Sequence, residues 1–454
     1  MASALAALSV LSLACASSAE FVVSRHVSNV ARTVVEPADI PPAQFVMPIT
    51  QTTPRRASKK ANLAALRAYL CGDKDTAVLS GSDLDQEYLT DVTVGGQTFP
   101  LIVDTGSSDT WVIQSGFQCY NLTTDAKLPE PDCDFGPKSF DTSASKTFKS
   151  FPKVSFNISY GDGEFLSGPV GFDTVTAGGL TVKSQEIGVP NLAAWEGDSV
   201  NSGLIGLAFP ELTSVFNTTD PTKASSANHI PYNPFFFTAV QQGAVSNPYF
   251  SVALNRGNST KATDPNLGFV AFGGIAPVEL DKTAVTLAIE GYSTKTFAPI
   301  AKGGQMWYYT VPVDGYVFTG SSKLKTASNN TILDTGTTLN YVPSPVAKAY
   351  NELFVPKATF DEASGLYFVD CHPTTVPEFN VTLGGKHFPI DARDQVLNGG
   401  TDENGNEVCI SGTQDGGKAT ADNVFILGDV FLHNVVPTFN IKTNEVTVTR
   451  RKKY

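Results

Sequence analysis

One short phrase occurs twice in this chain, and that repeat constrains the fold more than any other feature. Leu101-Ile-Val-Asp104-Thr-Gly-Ser-Ser returns as Thr331-Ile-Leu-Asp334-Thr-Gly-Thr-Thr. In both copies an apolar run of strand character ends on an aspartate, and Thr-Gly and a hydroxyl residue follow. A second echo keeps the same order: Gly203-Leu-Ile-Gly206-Leu follows the first copy and Phe425-Ile-Leu-Gly428-Asp follows the second. Two halves with the same sequence of elements imply two lobes of one design. The boundary is placed near residue 277, giving an N-terminal lobe over 75–277 and a C-terminal lobe over 278–454.

The surrounding pattern is β. Tyr88 to Val94 alternates apolar and polar residues, Gly95-Gly96 marks a hairpin turn, and Phe99 to Val103 resumes as a strand. Phe151 to Tyr160 alternates again and breaks at Gly161-Asp162-Gly163. With 38 Gly and 28 Pro in 454 residues, turns are favoured over long helices. Val346 to Phe354 is one of few stretches with helical period. The expected fold is all-β and bilobal, with a cleft between the lobes.

An aspartate at the end of a buried strand, followed by Thr-Gly, is a carboxylate fixed on a tight loop. Glycine permits the turn and threonine can hydrogen-bond to a partner loop. If the lobes bring Asp104 and Asp334 together, like charges at close range prevent both from ionising, so the pair shares a proton. The ionised member can then take a proton from a water, while the protonated one donates to a carbonyl. Ser107 and Thr337 are placed to donate to the outer carboxylate oxygens. No metal or other cofactor enters this chemistry.

These motifs resemble those of the pepsin family of aspartic peptidases, and most of all its secreted fungal members. Asp104-Thr-Gly-Ser-Ser-Asp-Thr-Trp111 and Asp334-Thr-Gly-Thr-Thr look like its two active-site motifs, and Ser159-Tyr160-Gly161-Asp162-Gly163 looks like the flap over bound peptide. The resemblance covers roughly residues 80–448. It implies that Asp104 and Asp334 are catalytic, that Thr105-Gly106 and Thr335-Gly336 interlock beneath them, and that Tyr160 and Trp111 hydrogen-bond. It further implies that Gly161 and Asp162 touch the backbone of an extended polypeptide substrate with large apolar side chains. A monomer is expected. Three features depart from the mammalian pattern: a longer loop between Cys119 and Cys133, a missing third cysteine pair, and an insertion from Phe216 to Asn233.

The N-terminus reads as processing sequence. Residues 1–19 form a short apolar run ending in small residues, a secretory signal too short to span a bilayer. Residues 20–74 hold eight basic and four acidic residues, against 24 and 40 in the rest of the chain. A basic propeptide beside an acidic body binds at neutral pH and loosens as carboxylates protonate. Within it, Lys59 to Leu70 is an amphipathic helix candidate, Lys59 or Lys60 is the candidate to meet the dyad, and Pro37 to Pro54 reads as linker. Arg55-Arg56 and Lys59-Lys60 are alternative dibasic processing sites. The expected location is extracellular or vacuolar.

Six cysteines fit an oxidising compartment. Cys119 with Cys133 and Cys371 with Cys409 are candidate disulfides, although spacing alone does not fix the pairing. Cys15 leaves with the signal, and Cys71 is left over. Sequons at Asn121, Asn157, Asn217, Asn258, Asn329 and Asn380 agree with a secreted glycoprotein. The net charge of −12 argues against nucleic acid or an anionic membrane as partner. The basic tail Arg450 to Lys453 reads as a solvated end.

Rival chemistries find little to use. There is no G-x-S-x-G elbow, no phosphate-cradling glycine loop, and the five histidines never fall at metal-ligand spacing. The rival from another class is a catalytically inactive pepsin-like binding or inhibitory protein. The presence of both aspartates, both Thr-Gly pairs and Tyr160 favours activity.

Overall fold

Alternation in Tyr88–Val94 buries Val92 and Val94 and leaves Asp91 exposed, as a half-buried strand requires. Gly95 and Gly96 both take positive φ, so the chain reverses in two residues and Val94 pairs with Gln97. The returning strand, Gln97–Asp104, ends on the first motif aspartate. The structure is a computed structural model that describes residues 39–52 and 88–454, except 123, 161–162, 258–262, 265, 293–298, 301–303, 321–328, 363, 403–404 and 420–422. The signal, Cys71, Arg55-Arg56, Lys59-Lys60 and the helix candidate at Lys59 to Leu70 lie outside the described residues.

The expected all-β, bilobal architecture is what forms. A 13-stranded sheet builds the N-terminal lobe, and sheets of five, three and four strands build the C-terminal lobe. A six-stranded sheet joins them, with Phe45–Pro48, Gly268–Phe272 and Tyr249–Leu254 followed by Val435–Asn440, Glu445–Arg451 and Leu280–Ala288. Its strands come from both sides of residue 277. Aromatic packing ties the shared sheet to both lobes: Phe250 stacks on Phe439 at 4.7 Å, and Tyr309 lies 4.2 Å from Phe439 and 4.9 Å from Phe209. The Tyr309 hydroxyl donates across to the Leu207 carbonyl at 2.5 Å.

Three details differ from the sequence reading. The helix near Val346 runs Ser344–Asn351 instead, because Pro345 suits the first helical turn and Asn351 turns its side chain back onto the Ala347 carbonyl. The β pattern was expected from about residue 75, with Pro37 to Pro54 as linker. Strands in fact begin at Phe45–Pro48 and Thr50–Thr52. The basic tail is docked. Arg451 stacks its guanidinium 3.9 Å from the Tyr454 ring and donates to Asn255 Oδ1, while Tyr454 donates to the Leu254 and His433 carbonyls. Arg450 pairs with Asp281 and Lys452 with Glu279.

The cysteines pair as Cys119–Cys133 and Cys371–Cys409, with Cα separations of 5.7 and 5.2 Å. Among the described residues, no helix is long and apolar enough to cross a membrane.

Candidate active site

Each motif aspartate stands at the end of a strand held by its own lobe's apolar-Gly element. Gly203–Gly206 runs parallel to Gln97–Asp104, placing Gly206 beside Asp104, and also pairs antiparallel with Thr110–Val112. Phe425–Leu427 does the same for Asn329–Leu333 and Asn340–Val342. The loops are pinned alike: Ala208 N donates to the Ser107 carbonyl and Asp429 N to the Thr337 carbonyl, both at 2.9 Å. The two echoes in the sequence are therefore one structural device used twice.

Between the lobes the threonines interlock. Thr105 N donates to Thr335 Oγ1 and Thr335 N to Thr105 Oγ1, each at 3.0 Å. Thr105 Oγ1 donates to the Leu333 carbonyl at 2.9 Å and Thr335 Oγ1 to the Val103 carbonyl at 2.8 Å. Three groups from each loop, the threonine amide, its hydroxyl and the carbonyl two residues earlier, are thus bonded to the other lobe. Thr335→Val keeps the side-chain shape but leaves Thr105 N and the Val103 carbonyl unpaired. It should cost about 2–4 kcal/mol by urea titration, and Thr335→Ser should restore most of the loss.

The two carboxyl groups meet above this lock. Asp104 accepts from Gly106 N at 2.6 Å and from Ser107 Oγ at 2.5 Å; Asp334 accepts from Gly336 N at 2.9 Å and from Thr337 Oγ1 at 2.7 Å. A Cβ on Gly106 would lie 2.4 Å from Asp334 Oδ1, and one on Gly336 would lie 2.6 Å from Asp104 Oδ1. Each glycine therefore makes room for the carboxyl of the opposite motif. Asp104 is 6% exposed and Asp334 4%. The two acids therefore face one another where the loops meet, each set against the glycine of the opposite motif. Burial raises both carboxyls above their ordinary range, and the charge of Asp104 raises Asp334 further.

Tyr160 stands beside the first motif in the N-terminal lobe, tied to it through Trp111. It follows the strand Lys149–Ser159, and Trp111 Nε1 donates to its hydroxyl at 2.8 Å. Burial and the charge of Asp104 hold that hydroxyl protonated. Gly161 and Asp162 lie outside the described residues. Among the described residues the structure thus brings together Asp104, Asp334, their Thr-Gly-Ser/Thr neighbours, Trp111 and Tyr160.

Sequence reasoning passed over several neighbours. Trp195 packs 5.8 Å from Tyr160 and 5.4 Å from Trp111, and Phe135 stacks on it at 5.7 Å. Phe135 lies two residues beyond the Cys119–Cys133 bridge. From the C-terminal lobe, Tyr308 has its hydroxyl pushed up by burial and by the charges of Asp334 and Asp104. Asp109 is fully buried, accepting from Tyr232 at 2.7 Å and Ser214 N at 3.0 Å. The run Trp307-Tyr308-Tyr309 was a visible signal; Trp195, Phe135 and Tyr232 gave none without the fold.

Comparison with known proteins agrees with this geometry. The family model described as eukaryotic aspartyl protease matches residues 87–451. A probable aspartic-type endopeptidase of Aspergillus fumigatus is 38% identical, over 79% of this chain and 77% of that protein. Penicillopepsin-3 of Penicillium janthinellum is 32% identical, over 80% and 77%. Rhizopuspepsin-4 of Rhizopus niveus is 30% identical, over 80% and 77%. The crystal structure of the Irpex lacteus aspartic proteinase shares the fold, with a TM-score of 0.61 at 20% identity, covering 90% of this chain and 97% of that one. With its two interlocked Asp-Thr-Gly loops and a family match spanning both lobes, the chain belongs to the eukaryotic aspartyl protease family and is an aspartic-type endopeptidase.

Proposed function

We propose that Asp104 and Asp334 hydrolyse peptide bonds as a proton-sharing pair, and that the chain is made as an acid-activated, secreted zymogen. The observation that carries the chemistry is the matched setting of two buried carboxyls, each set against the glycine of the opposite motif. The ionised member removes a proton from a water held between them as the oxygen attacks the scissile carbonyl. The other donates to the carbonyl oxygen, giving a tetrahedral diol without metal, cofactor or covalent adduct. Ser107, Thr337 and the Gly106 and Gly336 amides keep the carboxyls in plane.

Tyr160 and Trp111 anchor the hairpin that covers an extended polypeptide, and Gly161 and Asp162 at its tip meet the peptide backbone. The aromatic wall of Trp195 and Phe135 favours large apolar substrate side chains. The enzyme acts as a monomer outside the cell or in a vacuole, and its basic N-terminal segment blocks the acidic body until acid neutralises the attraction.

The test is cleavage of an apolar-rich peptide by acid-treated protein between about pH 2 and 6. Turnover appearing only after acid treatment is the expected result. No turnover from fully processed protein would overturn the reading in favour of an inactive binding protein.

A further inference from the structure

The insertion at Phe216 to Asn233 is built into the sheet at its base. Residues 213–217 and 228–232 face each other: Ile230 N donates to the Val215 carbonyl and Asn217 N to the Asn228 carbonyl, both at 2.8 Å, and Tyr232 N to Thr213 Oγ1 at 3.2 Å. The Phe216 ring leans on His229 at 5.6 Å. The outer edge of this unit meets the flap strand Lys149–Ser159. Val215 pairs with Phe156 and Phe216 with Ser155, and Asn157 N donates to the Ser214 carbonyl at 3.0 Å. The Asn157 side-chain amide donates to the Pro221 carbonyl at 3.1 Å.

That grip falls where the flap hairpin is weakest. Its two strands are Lys149–Ser159 and Phe165–Ala177. Near the base Phe151 pairs with Val170, but further out Phe156 pairs with Gly168, so five steps along one strand face two along the other. Extra residues on one side interrupt the ladder and bend that strand, and Lys153 within the interruption takes a positive φ of 72°. Beyond the bend, Phe165 to Ser167 is held by Leu192–Ala194. Among the described residues, the other flap strand has only Val215–Phe216 along its outer edge. Without that neighbour it would be a bare edge strand past a bend.

The insertion is anchored in turn to the first catalytic loop. The Tyr232 hydroxyl donates to Asp109 Oδ1 at 2.7 Å, and Ser214 N donates to the same oxygen at 3.0 Å. Asp109 stands two residues before Trp111, whose indole donates to the Tyr160 hydroxyl. One short segment therefore holds the flap twice: Trp111 directly at Tyr160, and Asp109 through the insertion at residues 155–157. Val215 and Tyr232 are buried in one apolar cluster with Phe156, Ile158 and Trp111.

We propose that the insertion is a brace that fixes the flap over the cleft, with Tyr232 as a positioning residue acting through Asp109. The effect on substrate rests on the reading of this hairpin as the flap; the brace itself does not. A strand that is already ordered loses less freedom when an extended peptide binds beneath it, so the brace lowers KM. The dyad keeps its own supports in the threonine lock and the parallel strands, so kcat depends on the brace much less.

The test uses Tyr232→Phe in the full chain, which removes the tie to Asp109 and keeps the ring in its cluster. Amide exchange at about pH 5 should become at least about tenfold faster at 156–159 and 165–168, and stay unchanged at 97–104 and 203–206. KM for a peptide of about eight residues should rise at least about fivefold, with kcat within about twofold of the parent. A second variant, with residues 218–227 replaced by two glycines, removes Pro221 and keeps the strand pairing. It should shift both readings in the same direction by at least about threefold, and it decides alone if Tyr232→Phe does not fold.

Exchange in the flap strands equal to the parent's overturns the brace. Faster exchange with unchanged KM overturns Tyr232 as a positioning residue for substrate. Faster exchange at 97–104 as well, or a lower urea midpoint with neither reading moved, marks the insertion as general packing and also overturns the proposal. A parent that cleaves no peptide sinks the proposed function, and the exchange reading still decides the brace.

Discussion

Replacing Asp104 or Asp334 by asparagine lowers kcat for peptide cleavage by roughly 10³–10⁴-fold, and the double replacement is scarcely worse than either single one. The non-additivity is expected because in the proposed mechanism the carboxyls work through one shared proton, and an amide in either place can neither take a proton from water nor hold the acidic one. The fold should survive. The amide oxygen of asparagine can still accept from Gly106 or Gly336, and removing one of two buried acids ends the repulsion between them. Circular dichroism and a urea midpoint near the parent's would confirm intact folding. More than about 1% residual kcat in either variant would rule out the pair as the reacting groups.

A second large effect lies in stability against pH. Burial raises Asp109 to about 6, and burial with the charge of Asp109 raises Glu186 to about 7. The catalytic carboxyls are raised as well. Groups with raised carboxyl pKa bind more protons folded than unfolded, so their contribution is complete below about pH 4 and is lost as pH climbs through the folded values. For Asp109 alone the loss is about 2 kcal/mol between pH 4 and 7.

Asp281 and Asp391 act in the opposite sense. Hydrogen bonds from Arg450 and Arg393 hold them at about 2, so their contribution is complete above about pH 4 and fades only in stronger acid. Stability should therefore peak near pH 4 and fall towards neutrality. Asp109→Asn keeps an oxygen for Tyr232 and Ser214 while removing the titration, so its urea midpoint should fall much less from pH 4 to 7. A slope equal to the parent's would show that Asp109 does not titrate in this range.

The catalytic centre was legible because its symmetry is chemical. Two carboxyls in matched settings need the same turn, hydroxyl and supporting strand, and those requirements leave the same letters in both halves. Pairings between distant segments left no such trace. The strand at Phe45–Pro48 ends on proline, which an edge position tolerates, and its partner lies at Gly268–Phe272. The tail at Arg450 to Tyr454 reads as solvated charge because its ring and carbonyl partners lie near Leu254 and Arg256. Asp109 lies within the first motif, but its hydroxyl partner Tyr232 comes from the insertion at Phe216 to Asn233, a pairing that no motif spells.

The shared sheet also bears on when this polypeptide becomes dangerous to the cell that makes it. Its strands run from Phe45 to Arg451, so it cannot close until nearly the whole chain has left the ribosome. Until then Asp104 has no partner proton, and the first threonine lock has nothing to grip. A half-made chain is therefore inert whatever the state of its leader, and synthesis itself provides a safeguard that precedes any inhibition by the N-terminal segment.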